Sequence, residues 1–448
     1  MLTFAALALF ARRSDFGSLA RSIDLLQLTA LRRIAHPLAV VLRVIACALF
    51  VLTLATGFFG NPDAYANLIV TMVWVLWWVG MAFFCALVGD LWEVVDPLRA
   101  LYRAVVRVCM RVGVPGVRRE SLGWVYPRWL GAWPAVVLFF GFAWVELIWQ
   151  DKDVPRALAG VLLAYALLCW TGMLLFGVET WRNRADAFAL AFRVLGRFAP
   201  LELRSSNPAE PARLRLRPYA AGLLANEPVP GPVMVFVLLM LATVTFDGFH
   251  QTPLMERLET AAQTSRPIAE ALFALSASGL GETQLLHTAL LLLFPLGFVL
   301  IFRGVSWLML RLAGPIVGGD PNANANAMVW SLVPIAVAYH LSHYLTLLLT
   351  TGQFGIALAS DPFGWGWDLF GTRGHVVDLG IVSPAVYWYG AVALIVVGHV
   401  LAVIVAHIEA RRRFASHRAA LTSQLPMVAL MVAYTSLSLW IMAQPIVG

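Results

Sequence analysis

Residues Val329–Gly352 read VWSLVPIAVAYHLSHYLTLLLTTG, and this stretch indicates what kind of protein the chain is. It is long enough to cross a lipid bilayer as a helix, which takes about 20 apolar residues. It holds no Asp, Glu, Lys or Arg, yet it contains His340 and His343. Residues three apart share one side of a helix, so both imidazoles can face one point. Ionisable groups at membrane depth are costly and mark functional sites by default, so we predict a ligand-binding or catalytic role; hydrogen bonding to neighbouring helices is the alternative.

The composition of the whole chain agrees with a membrane protein. Of its 448 residues, 60% are hydrophobic and 13% charged, a balance that excludes a soluble domain of this size. Lys152 is the only lysine, so the net charge of +7 comes from arginines. Loop arginines on the cytoplasmic side explain that charge, and no nucleic-acid partner is needed. The four cysteines lie in helical runs without the spacing of a disulfide framework or a zinc site.

The hydropathy pattern predicts an all-α polytopic bundle with nine spans. A cytoplasmic or interfacial lead-in, 1–36, precedes a single transmembrane domain, 37–448. The connections 91–127 and 180–230 are rich in arginine, so they should face the cytoplasm. This alternation puts the N-terminus inside and the C-terminus in the periplasm of a bacterial inner membrane. The predicted spans are 37–59, 66–90, 128–149, 156–179, 231–250, 284–303, 327–351, 384–408 and 425–446.

Two stretches in the basic connections have the pattern of amphipathic helices. Asp96 can cap a helix whose first turn contains Pro97, and arginines then recur at every fourth residue from Arg99 to Arg111. We interpret this helix as lying in the inner interface, with its basic ridge on anionic lipid headgroups. The stretch Ala185–Pro200 has a similar pattern and receives the same interpretation.

Depth below the outer boundary selects the candidate metal ligands. At about 1.5 Å per residue, His343 lies ~13 Å deep, His340 ~18 Å and His399 ~22 Å. Asp247 approaches the same level from the outer end of the fifth span. Neutral imidazoles with a carboxylate suit zinc, copper or iron, so we predict a divalent metal site from these four residues. We interpret the remaining span histidines as boundary residues: His250, His287 and His407.

The outer connection after the seventh span has an unusual composition. Residues 360–371 read SDPFGWGWDLFG. Tryptophans favour the membrane interface, and the glycines permit tight turns. One interpretation is an aromatic belt loop with capping aspartates. The other is a lid over the histidines, with Asp361 or Asp368 acting as a catalytic carboxylate.

Several short segments form a distinctive set: Gly89-Asp90-Leu91-Trp92, Asp96-Pro97-Leu98-Arg99-Ala100-Leu101, Phe246-Asp247-Gly248, Thr252-Pro253, Tyr339-His340-Leu341-Ser342-His343-Tyr344, Ser360-Asp361-Pro362, Gly366-Trp367-Asp368-Leu369-Phe370-Gly371, Gly398-His399, Ala406-His407, Gln424, Pro426-Met427 and Tyr434-Thr435. Together they resemble the bacterial membrane proteins called fenitrothion hydrolases, and the resemblance runs from the first span to the C-terminus. The chain departs from that family where Asp96-Pro97-Leu98 replaces Asn-Pro-Trp. The resemblance implies hydrolysis of an organothiophosphate triester with release of a nitrophenol. Because such a triester is a synthetic pesticide, its hydrolysis would be a side activity.

Two other classes of function stay open at this point. In a haem-binding redox subunit, His340 and His399 would be axial ligands from different helices. In a transporter or metal-ion permease, the histidines would form a transient site in the membrane. A hydrolase would take a neutral, apolar small molecule from the lipid. A partner subunit is compatible with each class.

Overall fold

Apolar runs fold into long helices along almost the whole chain. The computed structural model describes residues 22–27, 29–114, 119–204, 213–224, 227–277, 279–314 and 321–444. Within them, eight helices are long and apolar enough to cross a membrane, and Trp133–Leu147 is a shorter apolar helix. The helices are α1 (Thr29–Phe59), α2 (Leu68–Leu87), α3 (Trp92–Val95), α4 (Pro97–Val112), α5 (Trp133–Leu147), α6 (Pro155–Phe176), α7 (Val178–Arg184), α8 (Ala187–Phe198), α9 (Gly231–His250), α10 (Pro253–Thr264), α11 (Arg266–Ser276), α12 (Glu282–Ala313), α13 (Pro321–Asn326), α14 (Val333–Thr350), α15 (Phe354–Ser360), α16 (Pro384–Arg413) and α17 (His417–Met442).

The all-α, multi-pass architecture predicted from the sequence is confirmed. Eight of the nine predicted spans correspond to helices long enough to cross a membrane, and the predicted span 128–149 corresponds to the shorter α5; the eight are α1, α2, α6, α9, α12, α14, α16 and α17. Hydropathy misses the polar helix ends, because a helix continues into the interface after its apolar run stops. Thus α1 begins at Thr29, before the predicted 37, and α12 continues to Ala313, beyond the predicted 303. Residues 1–21 of the predicted lead-in and the last residues of the ninth predicted span lie outside the described residues.

The connections gather at two ends of the bundle. One, which we call the basic end, carries the arginine-rich connections and a three-stranded antiparallel sheet in the order β1-β3-β2. Its strands are β1 (Ile23–Asp24), β2 (Leu201–Arg204) and β3 (Arg213–Leu216). The other, which we call the cavity end, brings together the connections after α1, α5, α9 and α14. At this end the backbone N–H of Leu68 donates to the carbonyl of Pro362 over 3.1 Å.

A buried ionic network ties α3, α4 and α7 together at the basic end. The Arg182 side chain is 1% exposed, and its Nε donates to Asp96 Oδ2 over 2.7 Å. Its Nη1 also lies 3.2 Å from Glu93 Oε2, and Arg99 Nη1 lies 3.4 Å from Glu93 Oε1. Burial, followed by the charge of Glu93, raises the pKa of nearby Asp90 to about 6. These charges fix the short helices against one another.

The network changes the interpretation of α4. As predicted, Asp96 caps the helix by accepting from the N–H of Arg99 over 3.1 Å, with Pro97 in the first turn. The arginine ridge does not face headgroups along its whole length, because Arg99 is 5% exposed and pairs inside the protein. Arg103 also pairs, with Glu179 over 3.0 Å. Only the later part of the ridge is free for lipid.

The prediction of an interfacial helix at Ala185–Pro200 is wrong. This stretch forms α8, which packs against α2, α5 and α14 inside the bundle. Both of its sides are covered: Phe192 and Ala191 are 0% exposed, and Leu195 is 5% exposed. Asp186 caps the helix by accepting from the N–H groups of Phe188 and Ala189. The amphipathic pattern was misleading because the polar side of α8 meets the ionic network rather than water.

Close packing of α14 on α16 positions the histidines, and it depends on Gly398. A Cβ atom at Gly398 would lie 2.7 Å from the Pro334 carbonyl oxygen and 2.4 Å from Ala338 Cβ. Gly398→Ala should therefore lower stability by about 1–3 kcal/mol, as expected for overpacking. Gly390→Ala is the matched control, because the same helix has open space at that position. Thermal unfolding in detergent measures both, and equal midpoints would contradict this account of the packing.

Candidate functional site

A cavity of about 1140 Å³ lies at the cavity end of the bundle, among α2, α5, α9, α14, α16 and α17. Its lining runs from Asp247 and His343 within the spans to Ala64 and Asp153 in the connections, so it opens at the cavity end. The wall supplied by α2 comes from a π-helical stretch, Thr71–Val79. π-Helical turns are rare and are often found at functional sites.

Asp247 and His343 meet on the wall of this cavity. His343 Nε2 lies 2.8 Å from Asp247 Oδ2, and the two side chains are 14% and 15% exposed. The Tyr344 hydroxyl donates to the same carboxylate oxygen over 2.7 Å. The His343 ring also stacks on Tyr339, with centroids 5.8 Å apart. The imidazole is thus held by a carboxylate on one edge and by an aromatic ring on one face, an arrangement that fixes its orientation.

The other two predicted histidines have different surroundings. His340 is 7% exposed, its ring lies 4.7 Å from that of Tyr344, and its Nε2 has no hydrogen-bond partner among the described residues. His399 Nδ1 lies 2.9 Å from Thr435 Oγ1, so it links α16 to α17. In the described part of the chain, the metal-ligand atoms of the four predicted residues do not all lie within 4.8 Å of one another. A metal centre shared by all four stays a prediction.

The predicted catalytic aspartates fold the loop after α15 instead of lining the cavity. Asp361 is 6% exposed, and its two oxygens accept from the N–H groups of Trp365 and Gly366 over 2.9 and 2.7 Å. Asp368 accepts from the N–H of Arg373 over 3.1 Å. The geometry accounts for both as turn-forming carboxylates, and their catalytic role stays a prediction without support from their positions.

Glu146 is a cavity residue that the sequence reasoning missed. It lies near the end of α5, lines the cavity and interacts electrostatically with Asp247. The ammonium group of Lys152 donates to the Glu146 carbonyl over 2.9 Å, so the only lysine of the chain also lies at this rim. A glutamate within an apolar span is the same signal that identified His340 and His343, and it could have been found in the same way.

One cluster outside the cavity has the composition of a metal site. His250, Glu259 and His287 form the one group of three or more potential ligand residues within the described ranges whose ligand atoms all lie within 4.8 Å of one another. They come from α9, α10 and α12. The two histidines were interpreted as boundary residues, and Glu259 gave no sequence signal because it lies in an ordinary polar helix.

The haem alternative, with His340 and His399 as axial ligands, stays a prediction. Gly398 lies next to His399, and a Cβ at this position would meet Pro334 and Ala338 at less than 3 Å. The two helices are therefore in direct contact beside His399.

The chain was also compared with known proteins. No family model matches it, and no curated protein or solved structure is significantly similar to it. The functional assignment therefore depends on the geometry of the cavity and on the sequence motifs.

Proposed function

We propose that the protein is a membrane hydrolase that cleaves neutral, apolar esters in the outer half of the bilayer. The 2.8 Å contact between His343 and Asp247 on the wall of the cavity is the observation that carries this proposal. A histidine oriented by a carboxylate is an arrangement that enzymes use for general-base catalysis. Ionisable groups in membrane spans are rarely retained without a function.

The chemistry begins with the tautomer of His343. With its proton on Nε2, the ring donates to Asp247 and keeps a lone pair on Nδ1. Nδ1 then accepts a proton from a water molecule as the water oxygen attacks the ester centre. For a phosphotriester, the new P–O bond forms as the bond to the aryl oxygen breaks, and an aryloxide leaves. Asp247 stabilises the imidazolium that results.

The walls of the cavity suit an uncharged substrate. Apolar side chains line much of it, with Trp74, Leu347 and Ile441 among them. A neutral triester partitions into lipid and is therefore concentrated near the cavity end, where the cavity opens. The resemblance to fenitrothion hydrolases supports an organothiophosphate triester as one substrate of this class.

Turnover by the purified protein tests this proposal. Protein in lipid nanodiscs is mixed with a neutral nitrophenyl phosphotriester, and released nitrophenolate is followed by its visible absorbance. We expect turnover well above that of empty nanodiscs. Absence of turnover with every neutral nitrophenyl ester tried, phosphate and carboxylate alike, would contradict the proposal.

Proton-linked transport is the second candidate, because Glu146 and Asp247 lie in one cavity and interact. Two carboxylates at membrane depth can exchange a proton as a cargo binds. Uptake of a labelled ester into proteoliposomes with no chemical turnover would favour transport over hydrolysis.

The proposed location is a bacterial inner membrane, with the basic end in the cytoplasm and the cavity end in the periplasm. In a background without the native cysteines, Trp365→Cys should react with a membrane-impermeant maleimide added to intact spheroplasts. Arg107→Cys should react only after lysis. Both positions are exposed, so accessibility is not limited by folding. The reverse labelling pattern would place the cavity end in the cytoplasm.

A further inference from the structure

Three side chains converge beside the cavity, where α9, α10 and α12 meet. His250 Nε2 lies 3.2 Å from His287 Nδ1, and His287 Nε2 lies 2.7 Å from Glu259 Oε1. The His287 side chain is 12% exposed and that of Glu259 28% exposed, so water reaches the group from one side. None of the three lines the cavity of His343.

The donor set has the chemistry of a transition-metal site. Two imidazoles and one carboxylate are the protein ligands of many zinc centres that keep an open fourth position for water. The same three groups also suit other borderline metals that imidazole binds well. The positions of the three residues allow one ion to reach all of them, since their ligand atoms lie within 4.8 Å of one another.

Of the three helices, α12 is held in place by contacts outside the group. Trp144 Nε1 donates to Thr288 Oγ1 over 2.9 Å, and Gln284 Oε1 accepts from the N–H of Gly281 over 3.1 Å. The start of α12 is therefore fixed to α5 independently of His287. Glu259 lies on α10, which packs lightly and exposes Leu254 and Leu258.

We propose that His250, Glu259 and His287 bind one divalent transition-metal ion of the zinc class. The ion joins α10 to the ends of α9 and α12, so it fastens the outer helical pair α10–α11 to the bundle. This site is separate from the proposed catalytic pair and does not depend on the hydrolase function.

Zinc binding by the full-length protein tests the site directly. Purified protein is treated with a chelator, equilibrated with Zn²⁺ alone, freed of excess metal and analysed by mass spectrometry for zinc per chain. The parent should retain about one equivalent above the chelated blank, while His250→Ala, Glu259→Gln and His287→Ala should fall to the blank. Glu256→Gln is the matched control, because Glu256 is an exposed carboxylate on the same helix. It should retain the parent value.

A second readout follows from linkage, because an ion that binds only the folded state raises its stability. Zn²⁺ should raise the unfolding midpoint of the parent and of Glu256→Gln, but not that of Glu259→Gln. Equal zinc content in the parent and all three ligand variants, or none in the parent, would overturn the proposal and leave a hydrogen-bonded Glu–His–His chain. His343→Ala should bind as much zinc as the parent. Zinc content therefore tests the metal site, and ester turnover tests the hydrolase proposal separately.

Discussion

His343→Ala is expected to lower kcat for ester hydrolysis by about 10²–10⁴-fold, the range that general-base catalysis contributes. The side chain lies on the wall of the cavity beside Asp247, so its removal takes away the proposed base. Turnover in nanodiscs, measured with the nitrophenyl phosphotriester, reports the loss. His375→Ala serves as the control, because this exposed loop histidine lies outside the cavity. It should keep the parent rate.

Asp247→Asn tests whether Asp247 only orients the His343 ring or also stabilises the imidazolium that forms when the ring takes a proton. The amide has the shape of the carboxylate but cannot stabilise an imidazolium, so kcat should fall while KM changes little. Tyr344 and His343 both lose an ionised acceptor in this variant. Parent-like kcat in His343→Ala or Asp247→Asn, with the protein monodisperse in detergent, would contradict the proposed role of the pair.

Arg182→Met is expected to cost about 3–5 kcal/mol of stability, because it leaves buried carboxylates without their cation. Asp96 loses a 2.7 Å ion pair and Glu93 a 3.2 Å pair. Unfolding in mixed detergent micelles, followed by tryptophan fluorescence, measures the loss. Arg111→Met is the control, since Arg111 is exposed at the end of α4 and should change stability by less than about 0.5 kcal/mol.

The double variant Asp96→Asn with Arg182→Met gives a sharper test. If the cost comes from the uncompensated charge, neutralising Asp96 should recover part of it, so the two changes should be less than additive. Strict additivity, or a loss no greater than in Arg111→Met, would mean that the network contributes little to the free energy of unfolding.

The sequence predicted the spans because a bilayer demands long apolar runs, a requirement that leaves a local and regular signal. It also singled out His343 and Asp247, as metal ligands, since a polar residue is conspicuous in such a run. It could not show that Asp247 faces His343 while His399 faces Thr435, because helix rotation and neighbour order are set by packing between distant segments. The pairing of Glu259 with His287 depends on the same kind of long-range contact.

The burial of α8 shows a second limit of prediction from sequence, this time for an amphipathic helix. Its amphipathic pattern is correct, but the polar side finds the ionic network at the basic end instead of lipid headgroups. Arg193 Nη2, for example, lies 3.4 Å from the carbonyl of Arg182. A periodic pattern reports that a helix has two unlike sides, and it does not report what each side contacts.

The π-helical stretch of α2, Thr71–Val79, has a consequence for how this protein can evolve. A π-turn contains about one residue more than an α-turn, and one residue corresponds to about 100° of rotation. Loss of a single codon here would preserve a membrane-crossing helix, while the segment beyond it turned a different side inward. Trp74 faces the cavity and Trp78 the core, and such a deletion would change which of them lines the cavity. Ligand preference in descendants of this chain can therefore shift through a change of length, with every neighbouring side chain kept.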